Sequence, residues 1–104
     1  MVSPQIQLPE DQIKDLCDRW KIRELALFGS VLRDDFRPDS DIDVLVTFSF
    51  DADWSLFDHV QMQQELASIL GRKVDLISKR AIERSQNWIR RREILETAKI
   101  IYAK

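Results

Sequence analysis

Apolar residues recur along this chain at two different periods, and each change of period marks where one element gives way to the next. Residues 1–8 read as a lead-in. Pro9-Glu10-Asp11 then opens a helix, with proline tolerated in the first turn and carboxylates favoured by the helix dipole. Ile13, Leu16, Cys17 and Trp20 follow at the i, i+3, i+4, i+7 spacing of one buried stripe. From Lys21 to Phe28 the pattern tightens into a strand carrying Ile22, Leu25, Ala26, Leu27 and Phe28, and it stops at Gly29. A second strand runs from Asp41 to Phe48. Ile42, Val44, Val46 and Phe48 lie on one of its faces, and Asp41, Asp43, Leu45 and Thr47 on the other. Because Val44-Leu45-Val46 is apolar on both faces, this is a central strand covered on both sides at its middle.

A longer helix is expected from Trp54 to Leu70, with Leu56, Phe57, Val60, Leu66, Ala67 and Leu70 on its inner side and Gly71 as its C-cap. Lys73-Val74-Asp75-Leu76-Ile77 reads as a third strand. Ser78 to Ser85 reads as a short helix or turn, and Asn87 as the N-cap of a helix over Trp88 to Ala98. Lys99 to Ala103 closes the chain as a short strand or helix end. The pattern gives an α/β (α+β) fold in one domain, residues 1–104: a small mixed sheet with helices packed mainly on one face. The segment from Gly29 to Asp41 is too short for a helical crossover between parallel neighbours, so the first two strands are expected antiparallel.

Composition narrows the setting. At 12.3 kDa, with 44% hydrophobic residues, two glycines and three prolines, the chain reads as globular rather than disordered. No apolar run approaches a membrane span, and Met1 to Glu10 lacks a signal-peptide pattern. The one cysteine, Cys17, excludes an internal disulfide and a zinc set; it sits in the first helix's apolar stripe as a buried thiol. These features place the protein in the cytoplasm. Trp20 reads as core before a base-stacking platform, and His59, the sole histidine, as a surface or boundary residue rather than a catalytic one. A net charge of −2 argues against stable nucleic-acid binding. Residues 1–70 nevertheless hold six Lys/Arg against fourteen Asp/Glu, and residues 71–104 hold ten against four. The basic half is either a solvated, salt-bridged surface or a docking and phosphate-gathering face. Arg90-Arg91-Arg92 cannot form one stripe on a helix and reads first as solvated.

The chemistry concentrates between Leu27 and Val46. Asp41 and Asp43 share a strand face at a separation of about 6 to 7 Å, which suits joint coordination of a divalent cation; capping by acids in a loop is the alternative. Gly29-Ser30, ending one strand and opening a helical turn, offers backbone N–H groups and a hydroxyl to a phosphate; an ordinary turn with a serine N-cap is the alternative. Arg33 lies one turn further on, where it can contact a phosphate or pair with Asp34, Asp35 or Asp39. Arg37-Pro38-Asp39-Ser40 is a turn. Asp75 is an unfavourable residue for a strand interior, and is either a charge partner for nearby cations or part of a site. A phosphate cradle beside a carboxylate pair points to metal-dependent chemistry on a nucleotide.

Gly29-Ser30, ten residues, then Asp41-x-Asp43 resembles the signature of the nucleotidyltransferase superfamily that includes DNA polymerase beta. The short chain and Arg33 resemble its minimal nucleotidyltransferases (MNT) in particular. The resemblance implies a polymerase-beta-like fold and nucleotide contacts from Gly29, Ser30 and Arg33. It also implies one or two Mg2+ ions held by Asp41, Asp43 and Asp75, with Asp75 as third ligand or general base. It implies ATP as substrate and a helical HEPN-domain toxin as partner, with AMP transferred from ATP to a toxin tyrosine so that this chain acts as antitoxin. Larger relatives carry a further helical domain that closes over the nucleobase, and here a partner or a second copy would supply that wall. Two other readings remain: transfer to a small molecule such as an aminoglycoside or to RNA, and a noncatalytic antitoxin that inhibits by docking.

Overall fold

The computed structural model describes residues 8–29 and 41–104. Among these, the chain runs α1 (Glu10–Arg19), β1 (Ile22–Phe28), β2 (Ile42–Phe48), α2 (Leu56–Leu70), β3 (Val74–Ser78), α3 (Lys79–Glu83), α4 (Trp88–Thr97) and β4 (Lys99–Ala103). Every element falls within two residues of its expected bounds, and the last segment is a strand. The lead-in lies almost wholly outside the described residues.

The four strands form one sheet in the order β3-β2-β1-β4. β1 pairs antiparallel with both β2 and β4, while β2 and β3 are parallel. The sheet is therefore mixed, its first two strands are antiparallel as their short connection requires, and β2 is central. α2 supplies the crossover that two parallel strands need.

Two apolar clusters sandwich the sheet. The larger joins Ile13, Leu16 and Cys17 of α1 and Met62 and Leu66 of α2 to Leu25, Leu27, Ile42, Val44, Val46, Val74 and Leu76. The smaller, on the opposite face, joins Ala26, Phe28 and Leu45 to Ile82 of α3 and Ile94 of α4. The main helical cover thus lies on one face as expected. The short helices close the other face because Ala26, Phe28, Leu45 and Ile77 would otherwise leave apolar surface in water.

Burial, with the Asp18 carboxylate adding to it, pushes the Cys17 thiol up to about 12, as suits a packing residue. Trp20 is likewise structural. It meets Trp54 edge to face at 5.1 Å, and its indole N–H donates to Glu65 Oε2 at 3.0 Å. The Trp54 indole N–H donates to the Trp20 carbonyl at 2.8 Å, which ties the loop before α2 to the end of α1.

The inner side of α2 requires a correction. Leu66, Ala67 and Leu70 pack on the core, but Leu56 and Phe57 are 77% and 87% exposed and Val60 is also exposed. The inward line runs instead through buried Met62 and Leu66 and half-buried His59 and Gln63. His59 Nε2–H donates to the Leu76 carbonyl at 2.8 Å, and Gln63 Oε1 accepts from the Leu76 N–H at 2.8 Å. The first half of α2 therefore meets the outer edge of β3 with polar side chains. Its ends are set as the sequence indicates: Ser55 and Asp58 form a reciprocal capping box, and Gly71 takes the left-handed conformation at φ 69°.

Arg90-Arg91-Arg92 divides by position. Arg90 is exposed, Arg92 pairs with Glu96 one turn on at 3.0 Å, and Arg91 Nη1 donates to the Glu83 carbonyl at 3.2 Å. Among the described residues, only Arg91 of the three joins two elements.

Candidate active site

The site is built at the end of the sheet where β1 stops and β2 and β3 begin. β1 can run through Leu25-Ala26-Leu27-Phe28 because both of its faces are covered at that point. Gly29 then turns the chain away at φ 76°, a left-handed conformation that a side chain would strain.

Registers place the acids. Phe28 of β1 lies opposite Asp43 of β2, and Asp43 lies opposite Asp75 of β3. Residues directly opposite share a sheet face, so Phe28, Asp43 and Asp75 all lie on the face carrying the smaller cluster. Asp43 follows the parity of Leu45, and Asp75 that of Ile77, which packs on that cluster. Asp41 immediately precedes β2 and takes the same face by two-residue alternation. Asp41 and Asp75 are exposed and Asp43 is half-buried.

A Cβ built on Gly29 would collide with Oδ2 of Asp43. The missing side chain at Gly29 is the space the Asp43 carboxylate occupies. Of the residues expected to form the site, Gly29, Asp41, Asp43 and Asp75 are brought to one end of the sheet. Ser30 and Arg33 lie outside the described residues, as does the turn at Arg37–Ser40.

Among the described residues no three carboxylate, imidazole or thiol groups already converge on a common metal position. The donor set still fits Mg2+. Carboxylate oxygens are what that ion takes, the register gathers three acids at one sheet end, and Gly29 leaves the Asp43 oxygen its place. Lys73, not singled out by sequence reasoning, joins this end too. The Ile42 N–H donates to its carbonyl at 2.9 Å, the bond that closes the first pair of the β2–β3 ladder, Ile42 with Val74. The signal was present in the sequence, two residues before Asp75 at strand spacing.

Residues 10–101 match the nucleotidyltransferase domain. The chain belongs to that family. Protein adenylyltransferase MntA of Thermococcus cleftensis is 36% identical to this nucleotidyltransferase over 70 residues, 67% of this chain and 69% of that one. A crystal structure of a toxin–antitoxin with AMP-PNP matches with a TM-score of 0.69 and 25% identity, over 93% of this chain and 75% of that chain. A structure of a tri-AMPylated Shewanella oneidensis HEPN toxin in complex with MNT antitoxin matches with a TM-score of 0.61 and 25% identity, over 91% of this chain and 70% of the other. The nucleotidyltransferase fold expected from the Gly-Ser and Asp-x-Asp spacing is the one found. No described helix is long and apolar enough to cross a membrane.

Proposed function

We propose that this nucleotidyltransferase transfers AMP from ATP to a tyrosine hydroxyl of a helical HEPN-domain partner, and thereby acts as the antitoxin of a toxin–antitoxin pair. The observation that carries this reading is the pairing of Asp43 with Asp75 on adjacent strands at the end of the sheet where β1 stops, with Gly29, just past β1, packed on the Asp43 carboxylate. The similarity to MntA and to the MNT antitoxin complexed with an AMPylated HEPN toxin supports the donor, the partner and the role.

In this reading the β- and γ-phosphates lie at the turn that Gly29 and Ser30 open, where backbone N–H groups and the Ser30 hydroxyl donate to them and Arg33 adds charge. Asp41 and Asp43, with Asp75, would hold one or two Mg2+ ions; bound there, Mg2+ offsets the phosphate charge and polarises the α-phosphate for attack. Asp75 takes the proton of the acceptor hydroxyl. The freed oxygen forms its bond to the α-phosphorus in line, and the bond from that phosphorus to the bridging oxygen breaks, releasing pyrophosphate. In this reading, with ATP as donor, the reaction belongs to the cytoplasm, where ATP is abundant.

The test is intact-mass spectrometry of the HEPN-domain protein encoded beside this gene, after incubation with Mg-ATP and either this chain or Asp43→Asn. AMP-sized mass gains with the unmodified chain alone are expected. No gain, with a stable complex from both proteins, would replace transfer with inhibition by docking.

A further inference from the structure

The sheet order gives the site a direction. Gly29 ends β1 on one side, Asp41 and Asp43 stand at the head of the central strand, and β3 is outermost. If the triphosphate tail rests at the Gly29 turn and the α-phosphate at the Asp pair, the acceptor has to approach from the β3 side. This step rests on the transfer reading above. Asp75 stands on that side, and so does Lys73.

Register and parity place Lys73. Ile42 pairs with Val74, the first pair of the parallel ladder, closed by the hydrogen bond from the Ile42 N–H to the Lys73 carbonyl; Asp41 and Lys73 are the residues immediately before that pair on the two adjacent strands. The two-residue alternation puts it on the face of Asp75. Adjacent strands are about 4.8 Å apart and alternate residues about 6.6 Å apart, both well within the reach of a lysine side chain. Lys73 is exposed, and among the described residues its ammonium makes no ion pair, although acids flank it on two sides. Among the described residues that cation stands without a counter-ion at the acceptor edge of a carboxylate-rich site.

We propose that Lys73 is an acceptor-side catalytic residue whose ammonium contacts the attacking oxygen. A tyrosine hydroxyl has an ordinary pKa of about 10, so at neutral pH charge must build on its oxygen as it attacks. Mg2+ held by Asp41, Asp43 and Asp75 would offset charge chiefly on the phosphate side, and the acceptor edge itself carries carboxylates. Lys73 adds a positive charge there. The acceptor proton passes to Asp75, the oxygen lone pair forms the bond to the α-phosphorus, and the electron pair of the broken phosphorus–oxygen bond leaves with pyrophosphate. This accounts for a lysine and an aspartate at alternate positions of the strand start farthest from the phosphate turn.

The experiment compares the unmodified chain with Lys73→Gln and Lys73→Arg in steady-state AMP transfer to the HEPN-domain partner, with AMP-PNP binding and thermal unfolding measured alongside. Lys73→Gln should lower kcat roughly 100-fold, the scale of losing one donor to a developing oxyanion. KM for ATP, AMP-PNP affinity and Tm should stay close to their original values, and Lys73→Arg should recover most of the lost kcat. A Lys73→Gln variant with unchanged kcat overturns the inference, as does one whose defect lies in ATP affinity, which would place the lysine on the donor side. In both cases transfer by the unmodified chain stands. Absence of transfer by the unmodified chain overturns the transfer reading, and this inference with it.

Discussion

Gly29 lies against the Asp43 carboxylate so closely that a methyl group on its Cα would overlap Oδ2. Gly29 is the first residue past the end of β1, whose last residue, Phe28, pairs with Asp43 of the antiparallel neighbour β2. One position thus serves two needs, a left-handed turn at φ 76° and room for the Asp43 carboxylate oxygen. Gly29→Ala should therefore displace Asp43 and abolish AMP transfer, beyond the strain of about 1 to 2 kcal/mol for a side chain at such an angle. Gly71→Ala separates the two effects. Gly71 has nearly the same φ, 69°, but nothing within 4 Å of its would-be Cβ. It should lose similar stability and keep full activity. Thermal unfolding and transfer assays on the two variants check this; equal activity would show that Asp43 yields without cost.

Asp43 and Asp75 face each other across the β2–β3 pair. Like charges directly opposite in a sheet destabilise it by roughly 0.2 to 1 kcal/mol, less where water screens them as it does at exposed Asp75. Asp75→Asn should therefore raise Tm slightly while it lowers transfer. A variant that loses both would show that the carboxylate has a structural partner.

Much of this arrangement was legible in the sequence because strand parity and loop length are local properties. The alternation of Ile42, Val44 and Val46 with Asp43 and Leu45 fixed which residues share a face. The short Gly29–Asp41 connection fixed the antiparallel pairing of β1 and β2. What escaped was set by sheet order. α2 places its His59 and Gln63 inward because β3 is an edge strand with a free peptide edge to satisfy, and no spacing within α2 announces that. The same ignorance put Leu56, Phe57 and Val60 on the inner side. Ser30 and Arg33, the rest of the expected phosphate contacts, lie outside the described residues.

The corrected face of α2 has a direct consequence for stability. Leu66 is 1% exposed and lies within the larger cluster. Leu66→Ala should cost about 2 to 5 kcal/mol through lost transfer energy and the cavity left behind. Phe57→Ser removes a larger side chain from a position facing water, and should change stability by no more than about 0.5 kcal/mol. Urea denaturation of both variants reads the difference. A large loss at Phe57 would mean the helix is rotated from the position described.

Cys17 gives the fold a signature at high pH. Its folded pKa is raised to about 12 from an ordinary 9.0, so the folded state keeps a proton that the unfolded state releases. The stability tied to the neutral thiol is fully present below about pH 9. It falls as pH rises toward 12, at about 1.4 kcal/mol per pH unit where only the unfolded state is ionised. Denaturant midpoints between pH 8 and 11 should show this decline, and Cys17→Ala should flatten it from a lower starting stability. A native thiol that reacts with an aromatic disulfide reagent at pH 8 as fast as the unfolded chain would rule out the burial on which the argument depends.

The edge of β3 supplies the last prediction. The outward N–H and carbonyl of Leu76 are both taken by α2, through Gln63 and His59 at 2.8 Å each. An open strand edge is a template for pairing with another chain, and an unpaired backbone group costs about 1 to 3 kcal/mol where water reaches it poorly. His59→Ala should expose the carbonyl and Gln63→Ala the N–H. Each should lower stability within that range, and because the two share one residue the double variant should lose less than the sum. The double variant should also self-associate more readily, as light scattering across a concentration series would read. An unchanged urea midpoint for both single variants would mean that water replaces the two side chains fully, and that protection of the edge rests on the body of α2.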